Sequence, residues 1–78
     1  AVIVRTVTHY YTGRLTALTA EEMVLDDAAW ISETSRWSQA LSTGNLAEVE
    51  PYPGRCWVSR AAVVDVCEWK HPLPREVK

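Results

Sequence analysis

Phenylalanine is absent, glycine occurs three times, cysteine twice and methionine once. Three isolated glycines cannot build a phosphate-cradling loop of the P-loop or dinucleotide-binding kind. Two cysteines are too few for a disulfide framework, and in a reducing compartment such thiols are ordinarily small buried hydrophobes. No stretch approaches the ~20 apolar residues of a membrane span, and no signal-peptide pattern is present. The expectation is a cytoplasmic protein that does not enter the membrane. Charge of one sign is lacking too. Eight basic residues face ten acidic ones, for a net charge of −2. That balance disfavours a broad nucleic-acid face, although a local basic patch for a DNA-binding accessory barrel stays open.

Four tryptophans and three tyrosines supply the aromatic content of a chain of 78 residues. Each ring buries about 150–250 Å² and carries a polar handle, which suits either a small core or an interface. Six of the eight cations are arginine, and a guanidinium grips phosphate or carboxylate through a planar fork. A chain this short has a thin stability margin, so a symmetric partner is an attractive way to add buried surface. A homo-oligomer is therefore expected.

Val2–Val7 is β-branched and reads as a strand, and His9–Leu18 continues the β character past a bend. Gly13 marks a bulge or a close backbone contact. Met23–Leu25 starts a third strand, which Asp26-Asp27 ends or bulges before Ala28-Ala29-Trp30-Ile31. Thr34 or Ser35 is an N-cap candidate for a short helix around residues 35–43. In it Trp37, Ala40 and Leu41 share a face, and Gly44 stands at the C-cap position. Such a helix must dock on the sheet through Trp37 and Leu41. Asn45–Val49 would add one further helical turn. Pro51-Tyr52-Pro53-Gly54 is a turn, followed by two last strands over Arg55–Ser59 and Ala62–Trp69. In the last, Val64, Val66 and Glu68 alternate with Asp65, Cys67 and Trp69, and neither face is cleanly apolar.

The expected architecture is a β-rich α+β domain over residues 1–71, with an extended tail over 72–78. It is a small antiparallel five-stranded sheet or partial barrel in the order β-β-β-α-β-β. If Arg60–Val63 turn a hairpin, Cys56 and Cys67 lie opposite one another and a cross-strand disulfide is geometrically conceivable.

Chemistry-bearing constellations are few. Cys67-x-x-x-His71 has ligand-like spacing, and His9 and Cys56 could complete a tetrahedral set, but no C-x-x-C pair is present. Core thiols and surface histidines are the preferred reading, with no metal and no cofactor. Glu21-Glu22 and Asp26-Asp27 are adjacent pairs, which in strands point to opposite faces and do not converge for acid–base work. No nucleophile has a recognisable base, so an enzyme is not expected. What stands out is arginine beside aromatic: Arg36-Trp37 and Arg55-Cys56-Trp57. With Arg14 and Tyr11 these residues are the candidate ligand contacts, Arg36 and Arg55 gripping phosphate while Trp37 or Tyr11 stacks on a base.

The run Leu25-Asp26-Asp27-Ala28-Ala29-Trp30-Ile31, followed by Thr34-Ser35-Arg36-Trp37, Ala40-Leu41, Thr43-Gly44 and Val49-Glu50-Pro51-Tyr52-Pro53, resembles a family of small proteins of tailed bacteriophages and prophages. The likeness extends from Val2-Ile3-Val4-Arg5-Thr6 to His71-Pro72-Leu73-Pro74. That family carries no agreed activity. A looser similarity is to phage anti-defence sponges of the Thoeris anti-defence kind, which capture nucleotide immune signals. Those sponges typically carry C-terminal helices, and no helix is expected over the last residues of this sequence. The resemblance implies a non-enzymatic phage protein in the cytoplasm of the infected bacterium, sequestering a small phosphorylated or cyclic-nucleotide signal. The alternative is a protein–protein interaction module that blocks a host factor or serves as a minor structural or assembly protein.

Overall fold

The computed structural model describes residues 1–78. Strand β1 (Val2–Thr6) turns through Thr6–His9 into β2 (Tyr10–Leu18), and β2 turns through Thr19–Glu22 into the long β3 (Glu22–Glu33). Threonine side chains fix both turns. Thr6 Oγ1 donates to the His9 carbonyl at 2.7 Å, and Thr19 Oγ1 accepts the Glu22 N–H at 3.0 Å. Helix α1 (Trp37–Thr43) follows, then β4 (Glu48–Pro51), β5 (Cys56–Ser59), a 3₁₀ turn (Arg60–Ala62) and β6 (Val63–Glu68).

All pairings are antiparallel, in the order β4-β3-β2-β1-β6, with β5 also on β3. Because β2 occupies one edge of β3 along its length, β4 and β5 share the other. β4 pairs residues 29–33 and β5 pairs residues 22–25. The β-rich order read from the sequence holds, with six strands where five were expected. The additional strand is Glu48–Pro51, placed in the sequence reading partly in a further helical turn. Leu46 and Val49 are buried, and pairing with β3 overrides the local helical pattern.

The hairpin that would set Cys56 opposite Cys67 is not formed. Cys56 lies opposite Leu25 on β3, and Cys67 lies opposite Ile3 on β1, so the two thiols sit on different pairs of strands and are free. The turn at Arg60–Ala62 instead carries the chain from one edge of the sheet to the other. In a flat sheet those edges would be about 19 Å apart, four strand spacings of ~4.8 Å. The link from Ser59 to Val63 spans at most ~14 Å. The sheet must therefore curl, and it stays open because β5 and β6 do not pair.

Each face of the sheet has its own core, as adjacent Ile3 and Val4 illustrate. Ile3, Ala29, Ile31, Ala40, Leu46, Val49 and Trp69 pack on the helix side. Val4, Met23, Leu25, Ala28 and Val58 fill the other side. Leu25 and Ala28 share a face although they are three apart, because β3 carries an extra residue. Between Thr12↔Ala29 and Arg14↔Asp26, β2 advances two residues and β3 three. The extra residue falls at Asp26-Asp27, as the sequence pattern allowed, with Asp27 at φ 50°. Gly13 faces the bulge, and a Cβ there would come within 3.0 Å of the Leu25 Cβ.

Helix α1 docks through Trp37, Ala40 and Leu41, as its periodicity predicts. Its N-terminus differs from expectation. Arg36 is the N-cap residue and no side chain caps the helix. Thr34 Oγ1 donates to the Ser35 carbonyl instead, while the Ser35 N–H is bound by Glu33 Oε1. Residues after β6 lie across the helix-side core. Trp69 is buried, Leu73 packs on it, and His71 Nε2 donates to the Leu41 carbonyl at 2.7 Å. Lys78 exchanges two backbone hydrogen bonds with Val49.

Gly44 ends the helix at φ 79°, its N–H bound to the Ala40 carbonyl. A Cβ at this position would lie 2.6 Å from His71 Cγ. A left-handed L-residue costs about 1–2 kcal/mol. Gly44→Ala should therefore lower the thermal midpoint by about 4 °C or more in a domain of this size. Circular dichroism melting checks this, and an unchanged midpoint would contradict the helix ending described.

Candidate functional site

The six arginines divide sharply by what they touch. Arg5 pairs with Asp65 and holds its guanidinium 5.8 Å from the centroid of Trp37. Arg14 binds Asp27 at 2.7 Å, and Arg75 reaches the same carboxylate at 3.4 Å. Arg55 grips Asp26 through two bonds of 2.7 and 3.1 Å. Arg60 donates to the Thr19 carbonyl at 2.6 Å. Only Arg36 makes no side-chain hydrogen bond or ion pair.

At the β3 bulge, a cavity of about 290 Å³ lies between Arg14, Asp26, Asp27 and the Tyr52–Arg55 turn. Two of the sequence candidates, Arg14 and Arg55, meet here. Each already holds a carboxylate, and the Arg55 hydrogen bond keeps the Asp26 carboxyl below its ordinary range. An incoming phosphate would have to displace Asp26 or Asp27. Beside this cavity runs a row of rings. Tyr11 stacks on Tyr52 with centroids 6.2 Å apart, and His9 meets Tyr11 at 4.8 Å and Trp30 at 5.2 Å. Burial pushes the Tyr52 phenol up to about 12, so it stays neutral. Burial likewise raises the Cys56 thiol, which keeps it protonated and a poor nucleophile at neutral pH.

On the helix side, Arg36 lines a separate cavity of about 490 Å³. Thr34, Ser35, Gln39, Thr43 and Asn45 supply its polar walls, Ala40, Leu46 and Ala47 its apolar ones, and Lys78 also borders it. No Asp or Glu lines it. Ser35 at its rim adopts φ 64°, the second non-glycine residue with positive φ after Asp27. Each candidate cavity thus carries one such residue, a form of backbone strain that recurs at ligand clamps.

The structure therefore separates Arg36 from Arg55: they line different cavities. Trp37 follows Arg36 in the chain, but its ring stacks on Tyr10 at 5.2 Å and 22°. Trp57 lies apart from both cavities, 58% exposed on β5 opposite Val24. Gln39, Asn45 and Ser35 at the helix-side cavity, and Tyr52 and Arg75 at the bulge, were not among the ligand contacts expected from the sequence. The polar outer face of an amphipathic helix gave no sign of facing a cavity. No three His, Cys, Asp or Glu side chains converge where a metal ion could be held. No family model, curated protein or solved structure matches the chain.

His9 makes the aromatic row sensitive to pH. Its Nδ1 contacts Thr8 Oγ1 at 2.7 Å, while its Nε2 is buried without a partner. Burial lowers its proton affinity below the ordinary value of 6.5. The folded state therefore favours the neutral ring, and the unfolded chain takes up the proton first as pH falls. The contribution is whole above the ordinary value and is lost as pH falls through the lower folded value. Between about pH 7.5 and about pH 5, the thermal midpoint should fall further for the wild type than for His9→Phe. Equal slopes would contradict the burial of Nε2.

Proposed function

We propose that the protein is a non-enzymatic binding protein that sequesters a small phosphorylated, nucleotide-like ligand in the helix-side cavity. The observation that carries this reading is Arg36, the one arginine with no protein partner, at the edge of a cavity of about 490 Å³ that no Asp or Glu side chain lines. That volume falls within the ~300–1,000 Å³ of small-molecule sites. A free guanidinium can offer both prongs of its fork to a phosphate without first breaking an ion pair. The resemblance to phage anti-defence sponges supports the same direction, capture of a cyclic-nucleotide immune signal inside the infected cell by a homo-oligomer. Arg14 and Arg55 then serve the fold, holding the bulge of β3.

A second reading has its own observation. Leu15, Leu18, Met23, Val63 and Val66 line a mostly apolar cavity of about 420 Å³ between β2, β3 and β6. Val64 beside it is 58% exposed and Val66 is 41% exposed. Unpaired strand edges with apolar neighbours are templates for another chain. This feature favours a protein-interaction module that blocks a host factor or joins a phage assembly.

Native mass spectrometry of gently purified protein, followed by titration with a panel of cyclic nucleotides, separates the two. The sequestration reading expects a carried mass or a binder from the panel. It also expects Arg36→Ala to weaken binding by about 10-fold or more, the effect of losing a charge-assisted hydrogen bond. Arg55→Ala should leave the affinity unchanged. If Arg36→Ala binds like the wild type, the site assignment fails. If Val66→Lys abolishes capture of one host protein while no nucleotide binds, the second reading replaces the first.

A further inference from the structure

The helix-side cavity differs from most nucleotide sites in what it lacks: no aromatic ring lines it. The nearest ring in sequence, Trp37, is engaged. Tyr10 stacks on it at 5.2 Å, and the Arg5 guanidinium lies 5.8 Å from its centroid. Base stacking is the main sequence-tolerant source of affinity at sites that hold unpaired bases, and here no platform is offered for it.

What the cavity does offer is a fork and a set of small polar groups. The side-chain amides of Gln39 and Asn45 make no hydrogen bond within the protein, and neither does the Ser35 hydroxyl. Thr43 Oγ1 is engaged, donating to the Gln39 carbonyl at 2.7 Å and accepting the Asn45 N–H at 3.2 Å. That pair of bonds ties the loop holding Asn45 to the helix holding Gln39. Each free amide carries both a donor and an acceptor. A sugar hydroxyl likewise donates and accepts, so two amides and a hydroxyl beside a guanidinium complement a polyol that carries a phosphate.

We infer that this cavity reads the ribose-phosphate portion of a nucleotide and leaves the base outside. The inference rests on the proposed sequestration function and narrows it. Arg36 grips the phosphate, Gln39 and Asn45 bind the ribose hydroxyls, and the base projects from the open side with no protein ring against it. Discrimination among bases is then weak, while discrimination against the unphosphorylated nucleoside is strong.

The test is calorimetric titration of the full chain with ribose 5-phosphate, the four ribonucleoside 5′-monophosphates, adenosine and inorganic phosphate. The five phosphorylated ribosides should bind within about threefold of one another. Adenosine should bind at least about tenfold more weakly than adenosine monophosphate, by loss of the charged contact. Gln39→Ala and Asn45→Ala should weaken ribose 5-phosphate while leaving inorganic phosphate unchanged. All of these side chains are exposed, so the variants are expected to fold, and circular dichroism confirms it. A spread above about tenfold among the four monophosphates, as a stacked base gives, overturns the base-independent reading and leaves sequestration standing. Binding of inorganic phosphate as tight as ribose 5-phosphate overturns the sugar contacts. Failure of every phosphorylated probe to bind a folded wild type overturns the inference and the sequestration reading together.

Discussion

One extra residue in β3, at Asp26-Asp27, sets the course of the chain around it. In a regular, unbulged strand of this sequence, Met23 and Leu25 would bury on one face and Ala28 on the other, and the second core would lose a member. The bulge restores the phase, because a one-residue slip in a strand moves every later side chain to the opposite face. It also falls where the outer edge of β3 passes from β4 to β5. The Pro51–Arg55 segment crosses that break, and the Tyr52 N–H is bound by the Ala28 carbonyl at 2.9 Å. Asp27 is thereby left out of the register while Asp26 stays paired with Arg14, and Arg14, Arg55 and Arg75 gather on the two carboxylates.

That gathering decides which cations are available for anything else. Exposed ion pairs contribute little stability individually, about 0–1 kcal/mol, yet each occupies a guanidinium. Arg5 is held by Asp65, and Arg60 by the Thr19 carbonyl. Arg36, on the turn into a helix with no acidic residue in its first turn, is left over. The same electrostatic economy that fixes the bulge thus leaves a single unpaired fork on the opposite side of the sheet from the aromatic row.

Much of this was legible in the sequence where local rules govern. The β-β-β-α-β-β order, the left-handed Gly44, the bulge at Asp26-Asp27 and the docking face of Trp37 and Leu41 all follow from composition, glycine placement and periodicity. Pairing choices were not legible. Cys56–Ser59 and Val63–Glu68 look like a hairpin, but each finds a better partner elsewhere, on β3 and β1. Glu48–Pro51 carries too little β signal to stand alone and exists because an edge of β3 is open to it. At the site level, arginine beside tryptophan was visible, yet not which arginine a carboxylate would neutralise or which ring would already be stacked. Those facts depend on Asp26, Asp27 and Tyr10, which lie far away in sequence.

On the proposed reading, ligand chemistry belongs to the free Arg36 and not to the larger gathering of arginines at the bulge. The most direct measurement is titration of ¹⁵N-labelled protein with adenosine monophosphate, followed by amide chemical shifts. Saturable shifts confined to Ser35, Arg36, Gln39, Thr43 and Asn45 are expected. Shifts centred on Asp26, Asp27 and Arg55, or at the apolar cavity of Leu18 and Val66, would contradict that reading.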